Sequence, residues 1–187
     1  MKKNLTRILT VLLLLALAVT AISCSDDGIP DDMYNVAIDN AEFDLFVPKN
    51  WISQKESGIS GARVSNVDTS NVTVTVYLPD RVMTVEEYWN DFCLPSYQNG
   101  VLKDFSLIGE QCGDTVLGGK NAKKYIYTAN VAGKNYKFMQ VVCYMANAQM
   151  FTSQPEVYVF TYTASPDKYD EHIEDVIYMA DNIVFEE

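Results

Sequence analysis

Two stretches near the C-terminus, residues 137–146 and 156–163, constrain the fold more than any other part of the chain. Both are rich in β-branched and aromatic residues, and they are apolar on both of the faces that a strand presents. That pattern is typical of strands covered on both sides. Residues 71–78 instead alternate valine with threonine and tyrosine, as a half-exposed strand does. We therefore expect a sheet with the two late strands at its centre.

The remaining elements follow from weaker local patterns. Further strands are predicted at residues 43–48, 62–67, 104–111 and 122–129. One helix begins after Thr84, which forms a capping box with Glu87, and is limited by Pro95. A second helix is predicted to begin after Ser165. This order of elements, with Gly118-Gly119 and Ala132-Gly133 as reverse turns, favours an α+β domain with an antiparallel sheet and two packed helices.

The N-terminus predicts where the protein is located. A basic start is followed by an apolar run of about a dozen residues, which is shorter than the roughly 20 that a spanning helix needs. Small residues then precede Cys24. The pattern resembles the lipobox of bacterial lipoproteins, in which the cysteine is acylated and becomes the mature N-terminus. The alternatives are a secreted protein cleaved near Ala21 or an uncleaved anchor helix. In each case we expect the rest of the chain to be extracytoplasmic, lipid-anchored to the cell membrane if Cys24 is acylated.

Three segments are predicted: a lipoprotein signal peptide at residues 1–23, an acidic tether at 24–35 and one folded domain at 36–187. The tether contains four aspartates, a glycine and a proline, without apolar periodicity. Its carboxylates lack the alternate-residue spacing and the closing glutamate of an EF-hand calcium loop. We therefore interpret it as a spacer.

The charge of the mature chain excludes some partners. Removing the signal peptide leaves 11 basic and 25 acidic residues, a formal net charge of −14. Such a chain is repelled by nucleic acid and by anionic lipid headgroups. We expect a protein partner of unknown identity and no nucleic acid, with the membrane reached through a lipid on Cys24.

No set of residues predicts catalysis. His172 is the only histidine, so it is the only imidazole available as a general base. Its place beside Ile173 in the last helix predicts a solvated flank position. Glu87 is used in the helix cap, and Glu86 and Asp91 fit an exposed helix face. The usual hydrolase, zinc and phosphate-binding motifs do not occur. We expect a protein that is not an enzyme and has no cofactor or metal.

Three cysteines remain once Cys24 is assigned to the lipid. Cys93 and Cys112 should lie at opposite ends of one strand, roughly 26 Å apart. Cys112 and Cys143 should be separated by an intervening strand in a simple meander, at roughly 9 to 10 Å, beyond the ~7 Å limit for a disulfide. We expect three thiols, although another strand order would allow the second pair.

Aromatic residues supply the candidate binding positions. The chain has 12 tyrosines, and several fall on successive predicted strands. These candidates are Tyr125, Tyr127, Tyr144, Tyr158 and Tyr162. If they form an open cross-strand patch, the patch suits a sugar, a peptide or a protein, and if helices cover it, it is core. Met150 and Phe151, in a loop between two strands, are a second candidate contact.

Several motifs occur in a characteristic order between Phe43 and Phe185. They are the opening FDLFVP at residues 43–48 with Trp51 after it, TVEEY at 84–88, VLGGKNA at 116–122 and YVFTYTA at 158–164. Together they resemble the PsbP-like family, which includes the extrinsic photosystem II protein, a eukaryotic Ran-binding import factor and bacterial lipoproteins of the DcrB type. The resemblance implies an α+β fold and an accessory or binding role without a catalytic site. Its members differ in partner, so it transfers no functional residue.

Overall fold

The computed structural model describes residues 28–145 and 155–186, and Asp32–Glu187 group as one compact unit. Its strands are β1 (Met33–Asn35), β2 (Phe43–Asp44), β3 (Phe46–Pro48), β4 (Ile52–Glu56), β5 (Ile59–Arg63), β6 (Asn71–Tyr77), β7 (Lys103–Leu107), β8 (Gly113–Leu117), β9 (Lys120–Val131), β10 (Lys134–Met145), β11 (Glu156–Ala164) and β12 (Val184–Phe185). Strands β4 to β11 form one antiparallel sheet, and two short ribbons pair β1 with β3 and β2 with β12.

The sheet has the central strands that the sequence predicts. Its order is β4-β5-β6-β11-β10-β9, and β7 and β8 both pair with β9. Strand β10 therefore lies between β9 and β11, and β11 lies between β10 and β6. All nine residues of β11 are buried or half-buried, as are all residues of β10 after Asn135. Burial on both faces explains why these two strands lack polar alternation.

The N-terminal part differs from prediction in several places. Strand β4 was not predicted, and the strand predicted at residues 62–67 is observed as β5, Ile59–Arg63. Met33–Asn35, assigned above to the tether, pairs with Phe46–Pro48 as β1. Residues 43–48 form two strands rather than one, because Phe43–Asp44 pairs with β12 and Phe46–Pro48 pairs with β1. The segment changes partner at Leu45, which is fully buried.

Helix α1 consists of four consecutive helical segments, Val85–Tyr88, Trp89–Cys93, Leu94–Ser96 and Tyr97–Val101. The predicted capping box is present: the Thr84 hydroxyl accepts from the Glu87 backbone N–H, and the Glu87 carboxylate accepts from the Thr84 N–H. The prediction that Pro95 ends the helix is wrong. The turns before it are of the wider π type, so helical structure continues past the residue that cannot donate a hydrogen bond. Left-handed Gly100 bends the last segment.

Helix α2 is Ile173–Asp181, and it begins seven residues later than predicted. The Ser165 carbonyl accepts from the backbone N–H groups of Lys168 and Tyr169 and so closes a turn. A short 3₁₀ turn, Tyr169–Glu171, then leads into α2. The helix is otherwise as predicted in type, and it buries Val176, Met179 and Ala180 against the rest of the domain.

The two faces of the sheet carry different layers. On the first, which we call the α1 face, α1 packs its Trp89 and Cys93 against Tyr127, Ala129 and Phe138. The opposite face, which we call the α2 face, is covered by α2, by the 3₁₀ turn and by the ribbons. There, Phe43 and Phe185 pack edge-on against Tyr158, and Tyr169 packs against Tyr162. The observed architecture is thus the expected α+β arrangement of an antiparallel sheet and packed helices.

Candidate binding site

The five candidate tyrosines do not form one patch. Strand register places Tyr125 and Tyr127 opposite Gln140 and Phe138, on the α1 face together with Tyr144. Tyr158 and Tyr162 lie on the α2 face, where they contact Phe43 and Tyr169. Tyr127, Tyr158 and Tyr162 are each at most 2% exposed. The five residues therefore do not form a single cross-strand surface, and these three belong to the core, which is one of the two alternatives that the sequence left open.

The other two tyrosines are half-buried rather than open. The Tyr125 ring stacks directly on Trp89 of α1, with ring centroids 3.7 Å apart and planes within 1°. Tyr144 packs near Val142 and Val157, and its buried hydroxyl has no hydrogen-bond partner among the residues that the structure describes. The candidates Cys24, Met150 and Phe151 lie outside the described residues, so their predicted roles stay predictions.

A cleft of about 540 Å³ opens on the α2 face, and we call it the α2 cleft. Its floor includes Ile126 of β9 and Met139 of β10, which pair across the sheet. One wall is formed by Ile173 and Ile177 of α2, and Ile177 is 49% exposed. Apolar side chains on two elements therefore face an open volume large enough for a small ligand or for a side-chain segment of a partner.

Charged groups also line the α2 cleft. The Lys137 ammonium lies 4.0 Å from the centre of the Tyr169 ring, a cation–π contact. Lys124 makes no ion pair with any residue that the structure describes. Glu110, Asp114 and Asp170 add three carboxylates, so the cleft presents both signs of charge beside its apolar floor. A ligand with apolar and charged groups, such as a peptide segment, fits this lining.

Tyr169 adds a polar group without a partner. It is 3% exposed, and its buried hydroxyl forms no hydrogen bond with a described residue. Burial raises its pKa, and the neighbouring Asp170 adds to this effect, so the hydroxyl stays neutral. A buried hydroxyl without a partner costs free energy. A ligand group that reaches it would recover part of that cost.

The three cysteines of the domain are free thiols, as predicted. Cys112 lies on the α2 cleft, where its sulfur accepts a hydrogen bond from the Ile126 backbone N–H at 3.3 Å. Cys143 pairs with Ala122 of β9, which in turn pairs with Thr115 of β8. Strand β9 therefore separates Cys143 from the strand that follows Cys112, as the meander argument requires.

The prediction of a solvated His172 is wrong. Its side chain is only 17% exposed, and its Nε2 lies 2.8 Å from Oδ2 of Asp68, which is equally buried. The edge of the imidazole also packs against Trp51, with ring centroids 5.9 Å apart. Asp68 is 104 residues earlier in the chain, in the loop between β5 and β6. Sequence reasoning missed this pair because no local pattern links two positions so far apart.

Asp68 is held in its charged form. Burial alone would raise its pKa, but hydrogen bonds from Ser70 and His172 outweigh burial and lower the pKa to about 2. One of these bonds is from the Ser70 backbone N–H to Oδ1, at 3.0 Å. Beside this carboxylate lies a second cleft, of about 450 Å³, between the β5–β6 loop and the connection from β11 to α2.

The fold has relatives among solved structures. LpqN, involved in cell envelope biogenesis of Mycobacterium tuberculosis, superposes with a TM-score of 0.58 at 16% identity, covering 78% of this chain and 83% of its own. The cyanobacterial PsbP protein CyanoP of Synechocystis gives 0.57 at 15% identity, covering 87% and 97%. A Pseudomonas aeruginosa protein of unknown function gives 0.53 at 18% identity, covering 80% and 94%. Identities this low establish a shared fold.

No protein-family model and no curated protein sequence matches the chain. Within residues 28–145 and 155–186, no helix is both long enough and apolar enough to cross a membrane. The superposition on CyanoP shows that the chain has a PsbP-like α+β fold, which confirms the fold that the sequence motifs implied.

Proposed function

We propose that this chain is an extracytoplasmic lipoprotein, anchored through Cys24, whose PsbP-like domain is a non-enzymatic binding module that assists a protein assembly in the cell envelope. The observation that carries the proposal is the α2 cleft, where apolar side chains and two lysines line one opening together with Tyr169. The lipobox-like segment before Cys24 supports the anchor. The envelope role of LpqN, which has a similar fold, supports the location.

The cleft favours a polypeptide ligand. Its lining offers apolar contact at Ile126 and Ile177 together with both signs of charge, as polypeptide segments do. A sugar or peptide bound on the tyrosine-rich sheet face would instead need that face open. Tyr127 is buried there and Tyr125 is covered by Trp89, so we assign binding to the α2 cleft.

Site-specific cross-linking in intact cells tests the binding role. A photoreactive amino acid at Ile177, on the rim of the cleft, should give one adduct of reproducible mass with a protein of the envelope. The matched control is Val82, which is 75% exposed and does not line the cleft. The binding proposal fails if Ile177 gives no adduct, or if Val82 gives the same adduct in equal yield.

Fatty-acid labelling tests the anchor separately. The full chain should incorporate an alkyne-tagged fatty acid and fractionate with membranes, and Cys24→Ala should abolish both. Cys112→Ala is the matched control, because it removes a half-buried thiol of the domain and should leave labelling unchanged. Equal labelling of the Cys24→Ala chain would contradict acylation at this position.

A further inference from the structure

A cluster of metal-ligating side chains adjoins the α2 cleft. Asp68, Glu171 and His172 each offer one ligand atom, and these atoms lie within 4.8 Å of one another. Asp68 comes from the β5–β6 loop, whereas Glu171 ends the 3₁₀ turn and His172 precedes α2. Two parts of the chain that are far apart in sequence therefore bring two carboxylates and the only imidazole together.

Part of the cluster is rigidly placed. The Asp68 backbone N–H donates to the Ser65 hydroxyl at 2.9 Å, and the Ser70 N–H donates to the Asp68 carboxylate. His172 is held by Asp68 on one side and by the Trp51 ring on another. Glu171 has a 52% exposed side chain, and its carboxylate is paired with Lys168. Metal–ligand bonds of about 2.0–2.2 Å require ligand atoms no more than about 4.4 Å apart, so a small rotation of Glu171 completes the site.

A buried hydroxyl borders the same carboxylate. Ser70 is 3% exposed, and its side chain lies close enough to Asp68 to lower the pKa of that carboxyl. This oxygen, beside two carboxylates and an imidazole, is a fourth potential contact for a cation or for its bound water.

Positive charge already occupies the rim of the cluster. The Lys168 ammonium lies 2.7 and 2.8 Å from the two oxygens of Glu171. Lys168 also lines the 450 Å³ cleft beside Asp68, so this part of the cluster is accessible from solvent. An ammonium group at this place competes with a metal ion for Glu171.

We propose that Asp68, Glu171 and His172 form a binding site for one divalent transition-metal ion of the Zn²⁺ class. Two carboxylates with one imidazole suit a borderline ion such as Zn²⁺, whereas Ca²⁺ prefers oxygen ligands alone. The metal takes Glu171 from Lys168 and joins the β5–β6 loop to the start of α2. The site adjoins the α2 cleft, since Asp170 and Ile173 line that cleft, but it does not rest on the proposed binding role.

Calorimetric titration of the metal-free full chain in detergent with ZnCl₂ tests the site. We expect one equivalent to bind, and Glu171→Gln to weaken binding by about tenfold or more. Lys168→Met should tighten binding, because it removes the competing ammonium. Glu174→Gln is the matched control, an exposed carboxylate in the first turn of α2 outside the cluster. Equal affinity of the wild-type, Glu171→Gln and Lys168→Met chains would overturn the proposal, as would tighter binding of Ca²⁺ than of Zn²⁺.

A spectroscopic readout covers variants that fail to fold and zinc that binds at the thiols instead. Because the chain contains a single histidine, the imidazole signals in an NMR spectrum belong to His172. Stoichiometric Zn²⁺ should shift these signals in the wild-type chain, in slow or intermediate exchange. Binding of Zn²⁺ without any change in the imidazole signals would place the metal elsewhere and refute the site.

Discussion

The two faces of the sheet are covered in different ways. The α1 face is covered by one continuous helical region, and its rings stack: Trp89 stacks on Tyr125, and Tyr127 stacks on Phe138 with centroids 4.8 Å apart. The α2 face is covered by segments from both ends of the chain. Phe43 and Phe185 meet there on Tyr158.

This difference indicates which face of the sheet has room for a ligand. The face covered by one helix with stacked rings leaves less room, and the cleft beside its Tyr136 and Phe138 measures about 330 Å³. A face assembled from several segments leaves openings at their junctions. The 540 Å³ cleft lies where α2 meets β9 and β10, and the 450 Å³ cleft lies where the β5–β6 loop meets the start of the α2 connection. Both proposals above therefore place ligands on the α2 side.

Alkaline pH should have the largest effect, because it acts on tyrosines of both faces. Burial raises the pKa of Tyr127 and of Tyr162 well above 10, and it raises that of Tyr97 to about 12. An unfolded tyrosine ionises near pH 10. The contribution of each buried tyrosine is therefore fully present below pH 10 and falls by about 1.4 kcal/mol per pH unit above it. We expect cooperative unfolding between about pH 10 and 12. Circular dichroism and tyrosinate absorbance measure this transition.

Phenylalanine variants separate the two faces in this experiment. Tyr127→Phe removes an ionising group from the α1 face and Tyr162→Phe removes one from the α2 face, so each should raise the alkaline midpoint. Tyr178→Phe is the control, because Tyr178 is 47% exposed. An equal rise for Tyr178→Phe would show that ionisation of buried tyrosines does not cause the transition.

Trp89→Ala tests the stacked rings of the α1 face. Trp89 is 3% exposed and contacts three tyrosine rings, so its loss should lower the free energy of unfolding by about 3–5 kcal/mol. Phe92→Ala, on the same helix but 38% exposed, should cost about 1 kcal/mol or less. Urea denaturation measures both. Similar losses of unfolding free energy for the two variants would mean that the Trp89 ring contacts stabilise this face no more than the exposed Phe92 does.

Local patterns predicted the fold well, because each depends on neighbours in sequence. The central strands β10 and β11, the capping box at Thr84 and the three separated thiols were all derived from periodicity or spacing and are confirmed. Strand β8 was missed, because GDTVL has little apolar alternation and is stabilised by its pairing with β9. Tertiary context of this kind overrides local propensity.

The candidate sites required information that the sequence does not carry locally. The short turn at Ala132-Gly133 fixes Val131 opposite Lys134, so it determines that Tyr125 and Tyr127 share a face with even-numbered residues of β10. The sequence therefore contained the information that places Tyr125 and Tyr127 on one face. The register of β11 depends on a longer connection, and the pairing of His172 with Asp68 depends on the whole topology. Neither has a sequence signature.

Gly118→Ala should disturb the α2 face alone. Gly118 has φ of +53°, its N–H donates to the Ala180 carbonyl of α2, and a Cβ there would collide with the Ile183 carbonyl and lie 2.8 Å from its Cγ2. Gly119 also has positive φ, at +74°, but a Cβ there meets nothing within 4 Å. Gly119→Ala should therefore cost only about 1 kcal/mol of backbone strain, and Gly118→Ala about 2–3 kcal/mol.

Hydrogen exchange locates the effect of these glycine variants. In the Gly118→Ala chain, amides of residues 173–186 should exchange faster while those of residues 85–101 stay protected, because the new methyl group presses on the segment that closes the α2 face and not on α1. The Gly119→Ala chain should retain the wild-type pattern in both segments. Equal acceleration of the two segments by Gly118→Ala would show that the faces open as one unit, and the separation of a stable α1 face from an adaptable α2 face would then be wrong.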